Sequence, residues 1–180
     1  MWRKWLILLV IVITGGCATE TPVAVSNPYR HYQSDSSLAA SRLSPPLAGE
    51  MLRILYSQHR TWQGTPYHLG GLSRKGVDCS GFVYLTFLNR LDIRLPRSTE
   101  GQSRVGLRVP VTELEPGDLV FFHTGRYRHV GIYLQDSKFL HVSTHAGVRI
   151  SSLNSEYWSR TYWQARRIEG LSQPLAANLK

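Results

Sequence analysis

Residues 80–91 carry Phe82, Val83, Tyr84, Leu85, Phe87, Leu88 and Leu91, apolar side chains that lie on nearly every face of a helix. A helix apolar all round has no side to offer to water, so the rest of the domain must enclose it. Upstream, Leu47, Met51, Leu52, Leu55 and Tyr56 recur at helical spacing, which predicts an amphipathic helix over residues 47–62 and a loop over residues 65–71. Downstream, short β-type runs take over: Leu119-Val120-Phe121-Phe122, then residues 129–134, 139–143 and 148–150. Glu115-Pro116-Gly117-Asp118 supplies a turn before the first of them, and residues 157–167 predict a helical turn and a closing strand. Helices first and strands afterwards define an α+β domain, with N-terminal helices packed on an antiparallel sheet.

The ends of the chain differ from this middle. Arg3 and Lys4 precede an apolar run, Leu6 to Ile13, which meets Thr14-Gly15-Gly16-Cys17. That is the layout of a bacterial export signal, and the run is shorter than the roughly 20 residues a spanning helix needs. Small residues directly before a cysteine resemble a lipoprotein signal, with Cys17 as the acylated first residue of the mature chain, although Thr14 stands where Leu is usual. Ala18 and Thr19 follow with no early aspartate, which favours an outer-membrane address facing the periplasm. Residues 18–46 are rich in Ser, Pro, Ala and Thr and have no apolar period, as in a tether. The expected organisation is a signal over 1–16, a lipidated tether over 17–46, one folded domain over 47–170, and a tail over 171–180.

With Cys17 claimed by lipid, Cys79 is left as a lone thiol, because the chain has only two cysteines. In an oxidising compartment such a thiol must be deeply buried or have a task. The net charge of +9, two of it from Arg3 and Lys4, suits an anionic polymer. Export, and the lack of a tight basic run, argue against nucleic acid. A monomer held at the membrane by its lipid is the expected state.

Cys79 immediately precedes the buried helix, so its sulfur is expected at a helix N-terminus, where free N–H groups and the helix dipole lower a thiol's pKa. A nucleophilic cysteine needs an imidazole that takes its proton and returns it to the leaving group. Of seven histidines, His129 and His141 stand out because both occur inside apolar strands. His129 alternates with Val130, Ile132 and Leu134, and His141 with Leu140 and Val142, so both point away from the greasier side. If the two strands form a hairpin, both imidazoles share one face only when the loop near Gln135-Asp136-Ser137-Lys138 has an odd length or a bulge. With that parity, Cys79, His129 and His141 form a nucleophile, a base and a group that orients the base.

The ordered set Pro66-Tyr67-His68-Leu69-Gly70-Gly71, Asp78-Cys79-Ser80-Gly81-Phe82-Val83, Leu95-Pro96-Arg97-Ser98-Thr99, Pro116-Gly117-Asp118-Leu119-Val120-Phe121-Phe122, His129-Val130-Gly131-Ile132-Tyr133-Leu134 and Phe139-Leu140-His141 resembles the NlpC family of papain-like cell-wall peptidases. The resemblance covers residues 47–167. It implies a papain-like fold, and a cysteine endopeptidase that cuts stem peptides or crosslinks of peptidoglycan with Cys79 as nucleophile, His129 as base and His141 as orienter. It also implies that Tyr67 and the Cys79 N–H stabilise the oxyanion, and that Asp78 and Ser80 line the substrate groove, with helix capping as the competing role for both. It implies no cofactor. The bond is either γ-D-glutamyl-diaminopimelate or the D-alanyl-diaminopimelate crosslink. His145 finds no role in this scheme.

Three other readings are weighed. Cysteine with two histidines can hold Zn²⁺, but no Cys-x-x-Cys or His-Glu-x-x-His spacing supports a metal, and the resemblance is to a metal-free site. A non-catalytic envelope binder would not need Cys79, His129, His141 and Tyr67 together. Acyl or amide transfer on the same scaffold is the remaining alternative.

Overall fold

The structure, a computed structural model, describes residues 45–171. The expected signal, Cys17, the tether up to residue 44 and the tail beyond Leu171 lie outside the described residues, whereas Pro45 and Pro46, expected in the tether, instead open the first helix. Helix α1 (Pro45–Trp62) leads into a small hairpin of β1 (Leu72–Ser73) and β2 (Gly76–Val77), and then into α2 (Cys79–Leu91). A short α3 (Thr99–Gln102) and strand β3 (Leu107–Val109) follow. The remaining elements are β4 (Leu119–Thr124), β5 (Tyr127–Tyr133), β6 (Lys138–Ser143), β7 (Gly147–Ser152), α4 (Glu156–Thr161) and β8 (Tyr162–Arg167). Six strands form one antiparallel sheet in the order β3-β8-β4-β5-β6-β7. The α+β expectation is met; the β1–β2 hairpin, α3 and β3 carry too few periodic residues to be read from the chain.

Helix α2 begins where Asp78 caps it, accepting the Gly81 N–H at 2.7 Å, and ends at Asp92, whose left-handed backbone (φ 56°) stops the coil. Phe82, Val83 and Phe87 are fully buried, each contributing roughly 1.5–3 kcal/mol by leaving water. They pack on the sheet face that presents Phe121, Val130, Ile132, Leu140 and Val142. Leu171, assigned to the tail by its sequence, is buried in this same core with Met51, so the folded unit runs one residue further than expected.

The opposite face of the sheet is not a solvent face. Val109, Val120, Phe122, Phe139, Leu153 and Ala165 form a second core there, with Trp158 of α4 packed against it. This second core is why a histidine that turns away from the larger core still becomes buried.

Between β5 and β6, Leu134 N–H donates to Lys138 O at 2.9 Å and Lys138 N–H to Gln135 O at 2.8 Å, leaving Gln135, Asp136 and Ser137 as an odd connection. Asp136 (φ 51°) and Ser137 (φ 57°) both take the left-handed conformation that makes this turn. The register pairs Gly131 with His141 and Tyr133 with Phe139, so His129 and His141 share a face as diagonal neighbours. Gly131 is required there: a Cβ on it would lie 2.6 Å from the Phe139 ring and 3.2 Å from the His141 Cβ.

Candidate active site

The sulfur of Cys79 sits at the start of α2, 3.7 Å from the Thr99 hydroxyl and within hydrogen-bonding reach of the Val130 backbone N–H. His129 is the residue before Val130, at the first turn-proximal part of β5. Its Nε2 lies 3.0 Å from Nδ1 of His141, whose Nε2 lies 2.8 Å from the Ser151 hydroxyl on β7. Trp158 stacks on His129 at 5.3 Å and 27°, and meets His141 edge-on at 4.9 Å. The structure therefore brings His129 and His141 together and ties Cys79 to the residue beside His129.

Burial governs the protonation of all three groups. It lowers His129 to about 4. It lowers His141 to about 3, helped by the nearby charges of His129 and Arg149. Burial also pushes the Cys79 thiol up, against the stabilising hydrogen bonds of Thr99, Val130 and Ser80, while the Asp78 charge pushes it further up. The expected lowering of the thiol by the helix N-terminus is thus outweighed: desolvation of a nearly buried sulfur exceeds what the free N–H groups supply. At neutral pH the site holds a neutral thiol and two neutral imidazoles.

Tyr67 reaches the same place through its backbone. It bridges to Val77 in parallel, with Val77 N–H donating to Pro66 O and His68 N–H to Val77 O, both at 3.1 Å. The other end of its loop is fastened to β7, where Val148 exchanges hydrogen bonds with Gly64 and Thr65, both at 3.0 Å. Gly147 (φ 66°) permits this approach, because a Cβ there would stand 2.2 Å from Thr65 O. Burial, then the closeness of Cys79, Asp78 and Tyr127, raises the Tyr67 phenol, which keeps it a proton donor. The Cys79 N–H lies in the first turn of α2, where no helical acceptor exists for it.

Asp78 and Ser80, expected to line the groove or to cap the helix, are both buried. The Asp78 carboxylate accepts from Gly81 and Gly70 N–H, both at 2.7 Å, and from both terminal nitrogens of Arg97 at 2.9 and 2.7 Å. Burial opposes its charge, but Arg97 and the two backbone donors hold the carboxyl below its usual range. Ser80 donates to Asp78 at 3.1 Å and accepts from Arg97 at 3.1 Å. Asp78 thus caps α2, the other role expected for it.

Arg97, Thr99, Ser151 and Trp158 were not singled out from the chain. Arg97 and Thr99 stand in the Leu95-Pro96-Arg97-Ser98-Thr99 motif, which was the available signal. Ser151 and Trp158 gave none, because their place depends on strand register and on the small core under α4. Among the described residues, no group of three or more His, Cys, Asp or Glu side chains is disposed to hold a metal ion. No helix among them is long and apolar enough to cross a membrane.

The chain is 42% identical over 169 residues to the probable endopeptidase NlpC of Escherichia coli K12, covering 92% of this chain and 99% of that one. It is 47% identical over 115 residues to the E. coli K12 protein named murein DD-endopeptidase MepS/murein LD-carboxypeptidase, covering 63% and 61% of the two chains. A solved NlpC/P60 family protein from Bacillus cereus superposes with a TM-score of 0.59 at 33% identity, over 64% of this chain and 39% of that one. The model of the NlpC/P60 family matches residues 64–167. That segment is more than half of the chain and holds Tyr67, Cys79, His129, His141 and Ser151, and on that match the chain belongs to the NlpC/P60 family.

Proposed function

We propose that this protein is a cysteine endopeptidase of the bacterial cell wall, hydrolysing stem peptides or crosslinks of peptidoglycan through Cys79, His129 and His141. The observation that carries the reading is the chain of contacts from the Cys79 sulfur, against Val130 N–H, to the neighbouring His129 and on through His141 to Ser151. Relatives named as murein DD-endopeptidases support the substrate class.

Because Nε2 of His129 faces His141, its Nδ1 is the nitrogen left for the thiol. Base function at Nδ1 requires the proton at Nε2, donated to Nδ1 of His141, and His141 then carries its own proton at Nε2 and donates it to Ser151. As the sulfur attacks the scissile carbonyl carbon, its proton passes to Nδ1 of His129. The carbonyl oxygen becomes an oxyanion that accepts from the Cys79 N–H and the Tyr67 hydroxyl; a donor of this kind is worth roughly 3 kcal/mol of barrier. The C–N bond breaks as His129 protonates the leaving amine, leaving a thioester. Water, giving a proton to His129, cleaves the thioester and frees the acid and the thiol. Asp78, Ser80 and Arg97 hold the helix start and the Tyr67 loop in register from beneath the groove.

The layout of residues 1–17 supports an anchor by lipid on Cys17 in the outer membrane, facing the periplasm. Cys17→Ser should then leave the membrane fraction, and unchanged fractionation would overturn the anchor. The function itself is tested by digesting purified sacculi with the protein and with Cys79→Ala, followed by mass spectrometry of the muropeptides. New stem-peptide fragments from the native protein alone are expected and name the bond. Sacculi left intact by both would sink the proposal.

A further inference from the structure

Arg149, Lys138 and His145 have no part in the steps above, yet all three border one cavity of about 770 Å³. His129 and His141 also line it, as does Trp158. Its charged side chains, Lys138 and Arg149, are both cationic, with no Asp or Glu among the residues that border it. Ser143, Ser151 and Ser152 border the same space.

Arg149 stands directly opposite His141 in the β6–β7 register, so its side chain rises on the same sheet face, and its charge is one of the causes that lower His141. Among the described residues neither Arg149 nor Lys138 has an ion-pair partner. Unneutralised cations around a concave surface focus a positive potential into it. A guanidinium is suited to a carboxylate, which it can grip through two parallel hydrogen bonds.

We infer that this cavity is a carboxylate-binding subsite for the leaving half of the substrate, with Arg149 as its principal contact and Lys138 and His145 at its rim. The inference rests on the peptidase reading in one respect. His129 must hand its proton to the leaving amine, so the fragment bearing that amine lies on the His129 side, where the cavity is. The subsite therefore selects bonds whose leaving amine stands on a carbon with a free carboxylate. A D-alanyl-diaminopimelate crosslink meets this condition, and so does the bond to a carboxy-terminal residue. The γ-D-glutamyl-diaminopimelate bond of a longer stem does not, because the carboxyl next to its amine is already in peptide linkage. His145 thereby acquires a place it lacked in the sequence.

The test uses the full chain with Cys79→Ala, titrated calorimetrically with a synthetic D-alanyl-diaminopimelate crosslinked peptide and with the same peptide amidated at the carboxylate beside the crosslinking amine. The acid should bind about tenfold more tightly than the amide, the factor expected for a charge-assisted hydrogen bond. Arg149→Gln should remove that difference, and Arg149→Lys should restore part of it. Arg149 is exposed, so its replacement leaves both cores intact. Equal binding of acid and amide, binding of neither, or an equal loss for both in Arg149→Gln would overturn the subsite. Cleavage is then followed with the native thiol on the same two peptides: the amide should raise KM more than it lowers kcat. Acid-selective binding without any cleavage would leave the subsite standing and overturn the peptidase reading instead.

Discussion

Nε2 of His129 lies 3.0 Å from Nδ1 of His141, across two strands whose register sets Gly131, and not His129, opposite His141. The two rings are nearly perpendicular, at 84°, and so meet edge to lone pair instead of stacking. That diagonal contact separates the work of the two residues. His129→Ala removes the group that moves the proton and should lower kcat/KM about 10²–10⁴-fold. His141→Ala leaves the base present but unsteered, with an expected loss of about 10–100-fold, and His141→Asn should recover part of it by restoring an acceptor. Steady-state kinetics on a soluble stem peptide compare the three, and full activity in His129→Ala would show that another group is the base.

Ser151 acts one step further out, through His141 alone. Its hydroxyl lies 2.8 Å from Nε2 of His141 and holds that ring in the orientation that meets His129. Ser151→Ala should lower kcat severalfold with KM unchanged, and Ser151→Thr should restore it. A change confined to thermal stability, with kcat intact, would leave Ser151 a packing residue only.

The pH dependence follows from burial. His129 is held at about 4, so the acid limb of kcat/KM should fall near that value and not near 6.5, where an exposed histidine would put it. Stability moves in the same direction. Unfolded histidines take up protons from about pH 6.5 downward, whereas His129 and His141 stay neutral until about 4 and 3, so acidification favours the unfolded chain throughout that window. Each contributes up to about 1.4 kcal/mol per pH unit there. Urea melts should show stability falling as pH drops below about 6.5, with a shallower slope in His141→Asn. A flat profile would mean that the two rings are hydrated in the folded protein.

Asp78 joins the nucleophile's helix to the loop of Tyr67, since it accepts from Gly81 on one side and Gly70 on the other, both at 2.7 Å. Asparagine has a single acceptor oxygen and can serve only one of them while also weakening the Arg97 pair. Asp78→Asn should therefore destabilise by roughly 1–3 kcal/mol and reduce kcat through a displaced Tyr67. Denaturant melts and kinetics on the same preparation check both, and a variant as active and stable as the parent would overturn this linkage.

The legible and illegible parts of the molecule divide along periodicity. Helix α2 and strands β4 to β7 stand out because Phe82, Val83 and Phe87, or Val130, Ile132 and Leu134, repeat at spacings that only one kind of element satisfies. The parity of His129 and His141 could be posed as a condition, but meeting it depends on left-handed backbone at Asp136 and Ser137, neither of them a glycine. The acidity of Cys79 is hidden for a related reason: a helix start is visible in the chain, whereas the desolvation of the sulfur by the surrounding fold is not. Asp78 suits a groove and a cap equally well in the chain, and its pairing with Arg97, 19 residues on, is set only by the fold.

The three residues Gln135, Asp136 and Ser137 count for more than their side chains do. Deleting one of them would turn β6 over, sending His141 into the core beneath α2 and putting Leu140 and Val142 under Trp158. The protein is thus exposed to a kind of inactivation that changes no residue of its chemistry. Drift in this turn is free to alter letters, within the limits of a left-handed backbone, but an in-frame loss of a single codon would disarm the enzyme as completely as losing the histidine itself.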